Sequence, residues 1–184
     1  MPTEISKLLA AAAERTVPVV QQIQDDQLVL PTPCAEFQVR DLLNHLYQVV
    51  ESFQALADRQ PVDFSTTPDR LTGDWRGAFA AETGKLADAW QDPATLEGVS
   101  PGMGMPQDVV AAMALMDLTV HGWDLARATG QDYEPDPAAV TVLQPVAEQL
   151  VPQGRRMGVF GDPVPAGPDS GLFERLLALS GRQA

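Results

Sequence analysis

Cysteine occurs once in this chain and histidine twice, and basic side chains are outnumbered 12 to 25 by acidic ones. A single thiol, Cys34, excludes an internal disulfide framework and a zinc site built from thiolates alone. A net charge of −13 excludes the Lys/Arg-rich face that displaces counterions from nucleic acid. The basic residues are scattered, and their densest group is only Arg155-Arg156. No uninterrupted apolar run approaches the roughly 20 residues that cross a bilayer. The first apolar stretch, Leu8 to Ala13, meets Glu14-Arg15 too soon for a signal peptide. Met103-Gly104-Met105 lacks the Gly-rich pattern and lysine of a phosphate loop, and there is no serine nucleophile elbow. No nucleic-acid or membrane partner is therefore expected, and a reducing cytoplasm is the expected compartment.

What is present suits a folded domain. The chain has 184 residues, 45% of them apolar and 20% charged, which sets it apart from a disordered acidic tail. A chain of this size buries roughly 70% of its unfolded surface and needs no metal merely to fold.

The periodicity is helical. Ile5, Leu8, Leu9, Ala12, Val19, Val20 and Ile23 predict a first helix from Glu4 to Ile23, capped by Thr3 and kinked or broken at Pro18. Leu28 to Phe37 reads as an extended connection. A second helix is expected from near Gln38, with Asp41 at the positive end of its dipole. Residues 60–73 read as a loop, and Asp74 to Trp90 as a third helix weakened by Gly77 and Gly84. Thr95 to Met105 leaves room for a short strand. A fourth helix follows, with Pro106 at its first position and its end before Gly130. Asp136-Pro137 opens a fifth, reaching about Val151 with a kink at Pro145. Residues 152–168 read as irregular, and Leu172 to Leu179 as a short amphipathic helix. With no Asn-Gly hairpin and few alternating runs, the fold class is all-α, a helical bundle.

The histidines carry most of the chemistry. His45 falls on the shoulder of the apolar face of the second helix. Asp117, His121 and Asp124 stand at i, i+4 and i+7 of the fourth, on a stripe shared with Val110, Met113, Val120 and Ala128. A carboxylate among core residues needs a cation, a histidine or a metal as partner. One reading is a divalent ion held by carboxylate and imidazoles between facing helices, leaving room for water or substrate. The other is a structural Asp117–His121 ion pair, with His45 bonded to a backbone carbonyl. Asp41 and Asp124 each lie one turn from a histidine, where a carboxylate can fix an imidazole tautomer. Asp41 serves equally as a first-turn dipole partner. Cys34 precedes a helix, where a thiolate gains from the dipole, but it reads better as a small buried hydrophobe. Trp75, Trp90 and Trp123 read as core or pocket wall.

Two segments extend this reading. Thr32-Pro33-Cys34-Ala35-Glu36-Phe37-Gln38-Val39-Arg40-Asp41-Leu42-Leu43-Asn44-His45-Leu46 resembles the Thr-Pro-Cys-x-x-Trp-x-Val-Arg-Asp-Leu-x-x-His segment of an actinobacterial family. Its members are similar to the metal-binding domain of mycothiol-dependent maleylpyruvate isomerase, within the DinB/YfiT-like superfamily. His121-Gly122-Trp123-Asp124-Leu125-Ala126-Arg127-Ala128-Thr129-Gly130 resembles that family's second signature. The end, from Phe160-Gly161-Asp162-Pro163 to Leu176-Leu177-Ala178-Leu179, resembles a shorter-tailed subfamily.

The resemblance implies an up-down-down-up four-helix bundle over residues 1–130, with a helical extension over 131–184 packed on it. It maps the ligands of a divalent ion, zinc or nickel, onto His45, Asp117 and His121, with Asp124 and Asp41 behind them. It also implies activation of a small thiol such as mycothiol or bacillithiol against a small electrophile, and possible homodimers. The alternative is a non-enzymatic binding or interaction protein, with or without metal. Asp117 stands where the family usually has Glu, Phe37 where it has Trp, and Gln38 where it has a Thr cap. The residues after Gly130 are too few for the isomerase's second domain, so maleylpyruvate isomerisation itself is not expected.

Overall fold

A computed structural model describes residues 1–184. The chain forms six α-helices and no strand: α1 (Glu4–Gln22), α2 (Val39–Ala57), α3 (Trp75–Ala89), α4 (Gln107–Thr129), α5 (Pro137–Arg156) and α6 (Leu172–Leu179). Local chemistry accounts for several of the starts. Thr3 accepts the Ser6 amide at 3.1 Å, and Asp136 accepts those of Ala138 and Ala139 at 3.0 Å. Asp74 accepts the Gly77 amide at 3.1 Å. Gly130, at φ 69°, closes α4 in the left-handed conformation that lacks a Cβ penalty.

Hydrogen bonds between helices give the topology. Thr3 at the start of α1 donates to the Trp90 carbonyl at the end of α3, so these two are antiparallel. Thr16, late in α1, donates to Leu118 of α4, and Gln131 just past α4 donates to Val19; α1 and α4 run parallel. Gln107, opening α4, donates to Leu56 near the end of α2, so α2 and α4 are antiparallel. Tyr47 donates to the Trp75 carbonyl and Gln54 to that of Glu82, which makes α2 and α3 parallel. The order is therefore up-down-down-up. Residues 58–74 carry the chain between the two parallel helices.

Leu9, Leu42, Leu46, Phe79, Leu115 and Leu118 meet in one core, all without exposed surface. α4 lies within it, and its 23 residues are long and apolar enough to cross a bilayer, yet most of its surface is packed inside the bundle. At Gly122 α4 lies close against α1: a Cβ there would stand 2.5 Å from Thr16 Oγ1 and 2.9 Å from the Tyr133 ring.

Four expectations need correction. The chain makes no strand between Thr95 and Met105; a 3-10 turn at Pro93–Leu96 and one bridge between Val99 and Pro106 stand there instead. Pro106 caps α4 rather than opening it. The Leu28–Phe37 connection is not extended throughout, because Leu28 and Val29 end a 3-10 turn begun at Asp25 and residues 35–36 form another turn. Finally, α1 continues as one helix through Pro18 rather than breaking there, and α5, which contains Pro145 and Pro152, ends at Arg156 rather than near Val151. Each proline frees the carbonyl four residues earlier, on Glu14, Thr141 and Glu148. All three residues are exposed, on the solvent side of their helices.

α5 and α6 pack on each other, and α5 packs on α4 and α1. The loop between them is tied back by Arg155, which donates to Gly161 at 2.9 Å and to Leu179 at 2.7 Å.

Candidate metal centre

The antiparallel arrangement brings the early part of α2 against the late part of α4. His45 and His121 meet edge to face, with ring centroids 5.1 Å apart and planes at 89°. One turn before His121, Asp117 places Oδ1 3.4 Å from His121 Nε2. One ligating atom each from His45, Asp117 and His121 lies within 4.8 Å of the other two. Phe37 flanks His45 from the loop before α2, its ring centroid 5.6 Å away.

The other face of His121 is equally occupied. Its Nδ1 lies 2.9 Å from Asp124 Oδ2. Asp124 has no exposed surface, and Arg182 grips it: Nε lies 2.9 Å from Oδ1 and Nη2 2.8 Å from Oδ2. His121 is thus bracketed, with Asp124 and then Arg182 behind it, and Asp117 and His45 in front. The front opens toward solvent, since the Asp117 side chain keeps 25% of its surface exposed against 9% for His121. Beside this row lies a cavity of about 10 Å³, space for a single water, bounded by His121, Ser180, Arg182, Val151 and Phe160.

Electrostatics follow the packing. Burial pushes His45 below the ordinary imidazole range, against the pull of Asp117, so its ring is neutral at pH 7 with a lone pair to offer. Burial also works against a charged His121, but the hydrogen bonds it donates to Asp117 and Asp124, with their negative charge, outweigh it and the net shift is upward. Burial would raise Asp124; contacts with His121 and Arg182 reverse that and hold it below the usual carboxylate range. Cys34 is pushed up by burial, against the attraction of Arg182, so its thiol stays protonated.

The structure separates the candidates read from sequence. His45, Asp117, His121 and Asp124 come together. Asp41 does not join them: it is exposed, and its carboxylate accepts the Gln38 amide at 3.1 Å at the start of α2. Cys34 lies close behind His121, grouped with it and Asp124 within 4.8 Å. Trp75 and Trp90 are buried in the core, and Trp123 packs against it. Arg182 escaped the sequence reading. The signal was Asp124 itself, a carboxylate on an apolar stripe that required a cation, but nothing local named which one.

The sequence profile described as the mycothiol maleylpyruvate isomerase N-terminal domain matches residues 9–126, the stretch from early α1 to late α4 that contains His45, Asp117, His121 and Asp124. The chain belongs to this family. Within this mycothiol maleylpyruvate isomerase N-terminal domain family, it is similar to two proteins of Mycobacterium tuberculosis, from strains CDC 1551 / Oshkosh and ATCC 25618 / H37Rv, both described as uncharacterized. Each is 31% identical over 166 residues, covering 89% of this chain and 90% of the relative. No solved structure matches. The family match ends before α5, so Arg182 comes from outside the matched domain.

Proposed function

We propose that His45, Asp117 and His121 hold one divalent ion, zinc or nickel, and that the protein uses it to bring a small thiol against a small electrophile. The observation that supports this most directly is the 3.4 Å separation of His121 Nε2 and Asp117 Oδ1. Two ligands about 2.0–2.1 Å from one tetrahedral ion stand about 3.3–3.4 Å apart, so these side chains match one edge of such a site. Two nitrogens and one oxygen are also a donor set that zinc and nickel accept.

Each residue has a part. His45, kept neutral by burial, offers a lone pair from α2. Asp124 accepts a hydrogen bond from His121 Nδ1, which leaves Nε2 as the ligating atom. Asp117 adds the negative charge that a cation between the helices needs. Asp124 is held away as a fourth ligand by Arg182, so three protein ligands leave a position for an incoming molecule. A divalent ion supplies Lewis acidity there, lowering the pKa of a bound thiol toward neutrality. Mycothiol or bacillithiol are the thiols that the family suggests. They would approach from the partly exposed side of His45 and Asp117, because the inner cavity admits no more than a water.

Elemental analysis of protein purified without a metal-affinity tag tests this. The expected result is about one divalent ion per chain, absent from a His45→Ala, His121→Ala double variant. A wild-type chain that neither carries nor takes up a divalent ion would reject the centre.

A further inference from the structure

Arg182 is almost fully buried, and its position is costly to arrange. The backbone that delivers it passes through Gly181 at φ +86°, where a Cβ would stand 3.0 Å from the Asp162 carbonyl oxygen and 3.2 Å from Gly161 backbone atoms. The segment after α6 is therefore seated on the 161–162 loop in a form that only glycine fits. From there Arg182 spans both Asp124 oxygens, while its Nη1 donates to the Ser180 carbonyl at 3.1 Å.

We propose that Arg182 is a positioning residue for the metal centre: it locks Asp124 against His121 Nδ1 and so aims Nε2 at Asp117 and His45. The inference rests on the metal reading above. It also explains how one ion site is chosen over another. Cys34, His121 and Asp124 form a second group whose ligating atoms lie within 4.8 Å. Arg182 already fills the cationic place in that group, so Asp124 orients the imidazole instead of ligating. A lysine at 182 would bring the charge without the planar fork that spans a carboxylate.

The test is cobalt(II) titration of the full chain, followed by visible absorption, with circular dichroism on the same samples. Arg182→Gln is expected to weaken cobalt binding roughly tenfold or more, within the 10–100-fold range of groups that orient metal ligands. Its ligand-field spectrum should change as His121 loses its fixed orientation, and Arg182→Lys should recover part of the affinity. Gly181→Ala alters no side chain of the cluster chemically but displaces the backbone that carries Arg182; it should follow Arg182→Gln. Folded Arg182→Gln and Gly181→Ala proteins with wild-type affinity and spectrum would overturn the inference and leave the metal centre standing. Loss of the folded signal in all three variants would assign Arg182 to the fold alone, and overturns it too. A wild-type chain that binds no cobalt overturns the metal reading, and this inference with it.

Discussion

His121 Nε2 faces Asp117 at 3.4 Å while Nδ1 faces Asp124 at 2.9 Å, so one imidazole stands between two carboxylates on a single helix. Such a ring answers to any cation on its Nε2 side, a proton or a metal ion, and this competition shapes the predictions.

His121→Ala should abolish stoichiometric metal binding and keep the fold. Asp124 retains Arg182, so no buried charge is stranded. The loss of stability should be about 1–3 kcal/mol, the scale of a buried polar group's lost bonds. Metal content and circular dichroism on one sample decide it; global unfolding or full metal occupancy would contradict it.

The metal-free protein should lose stability as pH rises through the elevated pKa of His121. A folded-state pKa above the unfolded value near 6.5 means that the imidazolium's contribution is complete below 6.5 and disappears above the folded pKa. His45 acts oppositely: its lowered pKa costs stability as pH falls below 6.5. Chemical denaturation in chelator from pH 5.5 to 8.5 should show His121→Asn removing the alkaline-side loss and His45→Asn the acid-side loss. Metal affinity should instead climb through the alkaline window, as the proton leaves Nε2.

Thr3 and Asp136 were legible as helix caps because a cap and its amides lie within three residues of one another; Asp74, read as the first residue of α3, caps it instead. The stripe of Asp117, His121 and Asp124 was legible for the same reason, being a matter of helical pitch. The end of α5 was not, because whether Pro152 stops a helix depends on whether the Glu148 carbonyl meets water, and that is settled by packing. Arg182 was hidden more deeply. Arg182 follows the end of α6 while its partner Asp124 lies on α4, and the contact exists only once Gly181 has turned the chain over the 161–162 loop. Asp41 showed the reverse problem: its two readings shared one position, and the Gln38 amide took the carboxylate.

Asp124→Asn should be among the most destabilising single changes at the site, by roughly 3–5 kcal/mol, because it leaves the buried Arg182 guanidinium without a countercharge. Pairing Asp124→Leu with Arg182→Met should recover most of that loss, since an apolar pair needs no desolvated charges. A double-mutant cycle by urea denaturation measures both. Strict additivity of the two single changes would contradict the pairing.

Two helix glycines should respond with opposite signs. Gly122→Ala drives a methyl into Thr16 Oγ1 and Tyr133, and should cost about 1–3 kcal/mol by parting α1 from α4. Gly84→Ala on the exposed side of α3 meets nothing within 4 Å and should stabilise by about 0.5–1 kcal/mol through helix propensity. Thermal or urea melts of the two variants compare them directly.

The proposed centre is one divalent ion on His45, Asp117 and His121 with a position open to a thiol. Cobalt substitution followed by addition of mycothiol or bacillithiol tests it most directly. A new thiolate-to-cobalt charge-transfer band and a changed ligand-field spectrum are expected, both absent from the His45→Ala variant. An unchanged spectrum at saturating thiol, with cobalt fully bound, would contradict thiol activation at this centre.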